Sequence, residues 1–190
     1  MRSFPPFSLA SKSPRRQELL KTAGFDFQVR TKEVDESFPE TMPAGEVPVY
    51  LAQKKARAFA LEPAEIIVTG DTVVAIGDSI LNKPEDAADA KRMLRLLSGT
   101  EHQVITGVCI RNAQKEKLFS AVTQVRFKEL SDAEIDFYIS AYKPYDKAGA
   151  YGIQEWIGLI AVEGIEGCYN NVVGFPVSAF YREFEAFLAQ

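Results

Sequence analysis

The apolar run I-I-V-T-G-D-T-V-V-A-I at residues 66–76 restricts the fold more than any other segment of the chain. Its β-branched side chains are typical of a buried strand. Gly70 and Asp71 interrupt the run, which favours a bulge or the close approach of a ligand. A carboxylate that emerges from an apolar strand needs a compensating partner, such as a metal ion or a lysine. Asp71 is therefore the sharpest single candidate for a functional residue.

Strand-like and helical segments alternate along the rest of the chain. Ser13 is expected to cap a helix that has Pro14 at its first position, and Ser131 and Glu134 have capping-box spacing at the start of another. Further helices are predicted over 47–61, 85–98 and 176–188, and strands over 7–10, 26–31, 102–111 and 118–127, with short strand character in the glycine-dense segment 157–175. Because hairpin-like strand pairs mix with crossover helices, we expect an α/β fold with a mixed sheet.

Length and composition predict an ordered globular chain, which could be one domain or two small lobes sharing a cleft. The net charge of −4 gives no overall attraction to nucleic acid or to an anionic membrane, so any bound anion must meet a local cationic pocket. No stretch approaches the roughly 20 apolar residues of a membrane span. Pro5 and Pro6 break the beginning before an apolar run of signal-peptide length. We therefore expect a cytoplasmic protein.

Several familiar chemistries have little support. The single histidine, His102, cannot supply a catalytic triad or a histidine-rich zinc site, and we expect it to be structural. Cys109 and Cys168 lie far apart without a C-x-x-C spacing, so both are expected to be reduced. Neither the P-loop pattern nor the dinucleotide fingerprint is present in the sequence.

The segment S-K-S-P-R-R at residues 11–16 joins a predicted strand to a helix N-terminus. Free backbone N–H groups and the positive end of the helix dipole favour an anion there, and Arg15 and Arg16 add two permanent cations. Phosphate is the ligand that this combination suits. The alternative is a capped surface helix with two solvated arginines.

Other charged residues could complete a site around Asp71. The candidate lysines are Lys55, Lys83 and Lys147, and an acidic cluster in the turn at 31–38 contains Glu33, Asp35 and Glu36. Mg²⁺ usually combines one or two carboxylates with substrate phosphates and water, so one of these acids could hold a metal ion. The alternative is that both the lysines and the acidic turn are merely solvated.

Eight motifs in order over nearly the whole chain strongly resemble the Maf family of nucleoside triphosphate pyrophosphatases. They are L-A-S-K-S-P-R-R-Q-E-L-L, D-E-S, K-K-A, G-D-T-V-V, L-N-K-P, L-S-G, D-K-A-G-A-Y-G-I-Q and Y-N-N-V-V-G-F-P. The resemblance implies a single domain over residues 1–190 and an elongated fold with a mixed sheet, flanking helices and a central cleft between two lobes. It also implies hydrolysis of a nucleotide to its monophosphate and pyrophosphate with Mg²⁺ or Mn²⁺.

Within that family the chain is most similar to the dTTP/UTP pyrophosphatase subgroup. The resemblance implies that Asp71 is the general base or holds the metal ion, with Glu36 as a second metal ligand. It implies catalytic roles for Lys55 and Lys83. The residues implied in substrate binding are Arg15, Thr72 and Gln154 for the base and Ser11, Arg16 and Lys147 for phosphate. Lys12 and Trp156 depart from the family pattern.

Three other functions stay open. The chain could prefer 7-methyl-GTP, although G-A-Y-G-I-Q fits the pyrimidine group better, or it could be an inosine-triphosphate-type pyrophosphatase. It could also be a noncatalytic nucleotide-binding regulator of cell division. The sequence leaves open which of dTTP, UTP and modified analogues is the physiological nucleotide. The final helix, with aromatic residues at 180, 181, 184 and 187, could pack on its own core or on a second subunit, and we favour a homodimer.

Overall fold

The computed structural model describes residues 4–189, and strands and helices alternate along them as the sequence predicts. The strands are β1 (Phe7–Leu9), β2 (Phe27–Val29), β3 (Ile67–Ile76), β4 (Ser79–Leu81), β5 (Glu101–Arg111), β6 (Glu116–Phe127) and β7 (Val162–Glu166). The helices are α1 (Pro14–Thr22), α2 (Val47–Arg57), α3 (Ala87–Leu97), α4 (Asp132–Tyr142), α5 (Trp156–Ala161), α6 (Tyr169–Val173) and α7 (Val177–Ala189), with a 3₁₀ turn at Ala148–Ala150. Over these residues, no helix is both long enough and apolar enough to cross a membrane.

The sheet is mixed, as predicted. Its strand order within the described residues is β2-β1-β3-β5-β6-β7, and β4 pairs with β3 off this path. Strand β1 runs parallel to both β2 and β3, whereas the pairs β3–β4 and β6–β7 are antiparallel. The β3–β4 pair is a hairpin, and α1 is the crossover between the parallel strands β1 and β2.

The chain divides into two compact units. Unit 1 comprises the residues up to Asp71, Thr106–Ala121 and the residues from Gly174 onward, and unit 2 comprises Thr72–Ile105 and Val122–Val173. The core of unit 1 is rich in phenylalanine, whereas the core of unit 2 is built mainly from aliphatic side chains of α3 and α4 and from the 150–157 segment.

The aromatic side chains of α7 pack inside unit 1. Phe180, Phe184 and Phe187 are buried in its core. Tyr181 is partly exposed but lies edge-on to Phe4, with 5.0 Å between the ring centroids. Of the two alternatives left open by the sequence, packing on the chain's own core therefore accounts for all four rings.

His102 lies in the core of unit 2, in agreement with the structural role predicted for it. Its Nε2 is 2.8 Å from the hydroxyl of Tyr151, and its ring stands edge-on to Phe127. Burial lowers the pKa of His102 to about 4, so the imidazole is neutral near pH 7.

Both cysteines are free thiols, as predicted. Cys109 is buried, and burial raises the pKa of its thiol to about 12. The thiol is therefore protonated near neutral pH and behaves as a small apolar side chain.

One detail of the sequence-based fold is wrong and another is incomplete. Gly70 and Asp71 do not interrupt their strand, because β3 is continuous from Ile67 to Ile76. The short strand character predicted over 157–175 is confirmed at β7, but the same segment also contains helical residues of α5 and the helix α6, which were not predicted. In α5, Ile157 and Ala161 lie four residues apart and are both buried, so a helix lets them share one apolar face.

Candidate active site

The structure brings Lys55 of α2 to Asp71 of β3 within unit 1. The two elements are tied just beside this pair, because the Thr69 hydroxyl donates to the carbonyl oxygen of Ala52 at 2.6 Å. Lys55 Nζ lies 2.6 Å from Asp71 Oδ1, and the two side chains are only 18% and 15% exposed. The compensating cation expected for Asp71 is thus a lysine of the same unit.

Glu36 reaches the same lysine from the 31–38 segment. Its Oε1 lies 2.7 Å from Lys55 Nζ, and its side chain is 57% exposed. The neighbouring residues form a parallel pair, since Lys54 Nζ lies 3.0 Å from Asp35 Oδ2. Two adjacent lysines of α2 therefore hold two adjacent acids, and the acidic turn is docked on the helix.

Asp35 is ionised in this arrangement. Hydrogen bonds from Ser37 and then from Lys54 lower the pKa of Asp35 to about 2. Asp35 faces Lys54 and solvent, whereas Glu36 is the acid that meets Lys55 beside Asp71. Glu36 is therefore the member of the cluster that shares a cation with the candidate catalytic carboxylate.

Arg16 is buried and links three segments of unit 1. Its Nη1 donates to Ser11 Oγ and to the carbonyl oxygen of Gly70, both at 2.9 Å, and its Nε donates to the carbonyl oxygen of Gly174 at 3.3 Å. Burial lowers the pKa of the guanidinium, and the charge of Asp71 opposes that effect. The arginine is thus an organising cation beside the acid.

Gly70 leaves little room for a side chain in this packing. A Cβ at this position would lie 3.3 Å from the carbonyl oxygen of Gly107 and 3.4 Å from Arg16 Cζ. The groups nearest to Gly70 are thus the backbone of Gly107 and the guanidinium of Arg16, and the approach of a ligand stays a prediction.

The strand-to-helix junction before Arg16 forms as the sequence predicts. Ser13 caps α1 through its side-chain contact with the backbone N–H of Arg16, and Pro14 occupies the first turn. Ser11 is buried, and its Oγ also accepts from the backbone N–H of Ser13 at 3.2 Å. Arg15 is half-buried on the first turn of the helix.

The other predicted site residues belong to unit 2. Lys147 is buried there, with its Nζ 2.8 Å from Asp146 Oδ1 and 3.1 Å from Glu155 Oε1.

The remaining site residues of unit 2 are more accessible. Lys83 and Gln154 are exposed, and Thr72 is half-buried. The backbone N–H of Gly149 donates to the carbonyl oxygen of Asn82 at 3.1 Å, which joins the turn carrying Lys83 to the loop carrying Lys147.

Comparison with known proteins decides the family. The sequence model of the Maf family, described as Maf-like protein, matches residues 6–187. The chain belongs to the Maf family. This confirms the resemblance carried by the eight motifs.

Curated relatives of this Maf protein are similar over most of their length. A protein of Phocaeicola vulgatus is 52% identical over 178 residues, which cover 92% of each chain. A protein of Porphyromonas gingivalis is 47% identical over 186 residues, covering 94% of this chain and 92% of the relative. Both relatives carry the name dTTP/UTP pyrophosphatase.

Two solved structures are also similar at low identity. The Ham1 protein of Staphylococcus aureus is 13% identical, with a TM-score of 0.46 over 65% of this chain and 72% of that one. A nucleoside-triphosphatase, dITP/XTP pyrophosphatase, of Mycobacterium abscessus is 15% identical, with a TM-score of 0.46 over 97% of this chain and 95% of that one. The family assignment of the Maf chain rests on the sequence matches.

The carboxylates of this Maf protein fit a hard divalent cation that completes its shell with substrate. Within residues 4–189, no cluster of three or more acidic, histidine or cysteine side chains is arranged to hold a metal ion. Glu36 and Asp71 nevertheless present two carboxylates to one ammonium group. Mg²⁺ commonly takes only one or two carboxylates from the protein and the remaining oxygens from phosphate and water. The donor set is therefore of the right chemistry and size.

Sequence reasoning missed Glu155 and Tyr138. The Tyr138 hydroxyl donates to Glu155, and Glu155 pairs with Lys147. Glu155 directly follows the conspicuous Gly-Ile-Gln stretch and could have been considered from its position. Tyr138 occupies an ordinary core position of α4, so nothing in the local sequence indicates its polar contact.

Proposed function

We propose that this Maf protein hydrolyses dTTP, UTP and modified pyrimidine nucleoside triphosphates to the nucleoside monophosphate and pyrophosphate. The observation that carries the proposal is the contact of Lys55 with both Asp71 and Glu36, which gives a partly buried acid, a cation and a second acid in one place. Relatives that are 46–52% identical and bear the name dTTP/UTP pyrophosphatase support the same activity.

We assign a divalent cation, Mg²⁺ or Mn²⁺, to the carboxylates of Glu36 and Asp71. When bound, the cation would neutralise negative charge on the substrate phosphates. The exposed position of the Glu36 side chain supports this role, since an exposed glutamate can exchange its contact with Lys55 for another cation at little energetic cost. Replacing Glu36 with Gln should raise the metal concentration needed for half-maximal activity.

Asp71 acts as the general base in the proposed reaction. It accepts a proton from water, whose oxygen forms a bond to the α-phosphorus. The bond from the α-phosphorus to the oxygen that bridges the α- and β-phosphates breaks, and pyrophosphate leaves with the electron pair. Lys55 and Lys83 oppose the charge that develops on the phosphates, and a preorganised cation does so without reorganisation during the reaction.

Phosphate binding is assigned to Ser11, Arg16 and Lys147. The buried guanidinium of Arg16 adds positive potential next to Asp71. Its hydrogen bonds to Ser11 and Gly70 fix the plane of the group, so it resists rearrangement when an anion binds. Lys147 contributes a second buried cation.

Recognition of the base is assigned to Arg15, Thr72 and Gln154. Their side chains offer hydrogen-bond donors and acceptors of the kind that pair with the edge of a pyrimidine. A site built on such groups rejects a wrong base because its polar groups are then left unpaired.

Pyrophosphate release from a panel of nucleoside triphosphates tests the proposal. We expect release from dTTP, UTP and close analogues with Mg²⁺ or Mn²⁺, and loss of release in Asp71→Asn. Preference for 7-methyl-GTP or for inosine triphosphate would overturn the substrate assignment. Nucleotide binding without release would instead favour a noncatalytic regulator.

We extend the proposal to a cytoplasmic enzyme, because the nucleoside triphosphate pools that it would act on lie there. The single domain over 1–190, the central cleft, the homodimer and the absence of nucleic-acid and membrane partners stay predictions. Light scattering on the purified chain gives its molecular mass in solution and tests the homodimer directly.

A further inference from the structure

Lys147 of unit 2 is paired with two carboxylates that differ in their surroundings. Its Nζ lies 2.8 Å from Asp146 Oδ1 and 3.1 Å from Glu155 Oε1. The Asp146 side chain is 59% exposed, whereas that of Glu155 is only 20% exposed. One partner of the lysine therefore faces solvent and the other lies within the protein.

Glu155 is held by contacts that Lys147 does not provide. The Tyr138 hydroxyl donates to Glu155 Oε2, and the same hydroxyl oxygen accepts from the backbone N–H of Gly152 at 3.0 Å. Burial, and then the hydrogen bond to Glu155, raise the pKa of Tyr138, so the phenol keeps the proton that it donates. The glutamate is thus fixed by a neutral donor that is itself fixed to the loop.

The loop that carries Lys147, Gly152 and Glu155 is packed tightly around the hydrogen bond between Tyr138 and Glu155. A Cβ on Gly152 would lie 2.9 Å from Glu155 Cδ and 3.1 Å from Lys147 Cε. Only a residue without a side chain fits between the two charged groups without displacing one of them. The backbone, the glutamate and the lysine therefore form one packed group.

We propose that Glu155 is a positioning residue that holds the Lys147 ammonium in place, and that Asp146 is the carboxylate which a substrate phosphate replaces. This inference rests on the proposed function, because it deepens the role of Lys147 in binding a nucleoside triphosphate. The proposal predicts that removing the charge of Glu155 weakens phosphate binding, whereas removing the charge of Asp146 does not.

The physical reason is the difference in what each acid loses when it moves away. The Asp146 side chain is 59% exposed, so water can replace Lys147 beside this carboxylate, and the buried ammonium still keeps Glu155 as a partner. If Glu155 moved away, the buried Tyr138 hydroxyl would lose its acceptor, which is unfavourable. An arriving phosphate therefore displaces Asp146 and leaves Glu155 on the lysine.

Fixing the ammonium also limits the entropy lost on binding. A lysine side chain has many rotamers, and ordering it opposes binding. With Glu155 in place, Lys147 is already ordered before the phosphate arrives. Its side-chain entropy is therefore lost when the protein folds and not when the phosphate binds. Removing the Glu155 charge should therefore weaken phosphate binding while leaving the chemical step nearly unchanged.

The test compares Glu155→Gln with Asp146→Asn in the full chain. Calorimetric binding of inorganic tripolyphosphate measures the phosphate contact without turnover, and steady-state pyrophosphate release from dTTP gives KM and kcat. For Glu155→Gln we expect the Kd and the KM to rise about tenfold with kcat changed less than about threefold. For Asp146→Asn we expect the Kd and the KM to stay the same or fall.

Matched controls separate positioning from a general loss of charge or stability. Asp136→Asn removes a carboxylate that pairs with Lys91 Nζ at 2.5 Å in the same unit, and it should change neither the Kd nor the KM. Tyr138→Phe removes the donor to Glu155 and should raise the Kd in the same direction as Glu155→Gln. The double variant should bind tripolyphosphate no more weakly than Glu155→Gln alone, because both changes remove the same support for Lys147.

Equal weakening by Glu155→Gln and Asp146→Asn, or an unchanged Kd in Glu155→Gln, would overturn the inference. If Glu155→Gln does not fold, Tyr138→Phe with an unchanged Kd for tripolyphosphate would overturn it as well. The proposed function fails separately, through absence of pyrophosphate release from dTTP and UTP by the unmodified chain. Because tripolyphosphate binding needs no turnover, the two failures are distinguishable.

Discussion

Lys55 Nζ lies 2.6 Å from Asp71 Oδ1, and each of the two side chains is less than one-fifth exposed. The lysine compensates the charge of a carboxylate at a position where an unpaired buried charge would be unfavourable. The proposed reaction uses this carboxylate as the group that accepts a proton from water.

Replacing Asp71 with Asn tests the general base. The amide has nearly the same shape but cannot accept a proton from water, so we expect kcat for dTTP to fall by at least about 100-fold. Thermal unfolding should still be cooperative. A suitable control is Glu116→Gln, which removes another carboxylate paired with α2, through Arg57 Nη2 at 2.6 Å. Near-normal turnover in Asp71→Asn would remove this residue from the role.

Replacing Lys55 with Met should lower kcat/KM for dTTP by at least about 100-fold, because a preorganised cation is lost next to the reacting phosphates. The adjacent Lys54 provides a matched control. It pairs with Asp35 at 3.0 Å and does not contact Asp71 in the way that Lys55 does. Lys54→Met should therefore retain most of the activity, and a similar loss in both variants would point to docking of the 31–38 segment as the common cause.

The sequence predicted the elements around this site better than the contacts within it. Ser13 and Ser131 cap helices as expected, because capping is a local property that neighbouring residues determine. The mixed sheet also follows from the order of short elements. The helices α5 and α6 were missed because their segment is short and rich in glycine, and the tertiary packing of Ile157 and Ala161 decides the local structure.

The site residues show the same difference between local features, which the sequence predicts, and tertiary contacts, which it does not. An acid within an apolar strand, as at Asp71, indicates a functional residue, but which of several lysines contacts it depends on how α2 packs on β3 through Thr69 and Ala52. The position of Arg16 depends on Gly174, which is far away in the chain. Such long-range contacts leave no periodic or local pattern, so the sequence alone could propose the residue types and not their pairing.

Replacing Gln154 with Ala tests base recognition. The side chain is exposed, so its removal should have little effect on stability, and changes in substrate preference can be interpreted directly. We expect the ranking of nucleotides by kcat/KM to change more than the rate on the best one. Gln28→Ala, which removes an exposed amide from β2, should leave the ranking unchanged. An unaltered ranking in Gln154→Ala would place base recognition elsewhere.

His102 should make the protein less stable as the pH falls. Burial lowers its pKa from 6.5 to about 4, so the unfolded chain binds a proton in that interval while the folded chain does not. The contribution of the neutral imidazole is therefore fully present above pH 6.5 and is lost as the pH decreases toward 4. The shift corresponds to about 3 kcal/mol over the whole interval.

Urea unfolding of the wild type and of His102→Phe at pH 7.5 and pH 5 measures this contribution. The variant leaves the Tyr151 hydroxyl without its nitrogen partner, so its stability should be lower at pH 7.5, but that loss is independent of pH in this range. The fall in unfolding free energy between the two pH values should therefore be larger in the wild type, by about 2 kcal/mol. An equal fall in both proteins would mean that His102 does not couple folding to protons and that other groups cause the acid sensitivity.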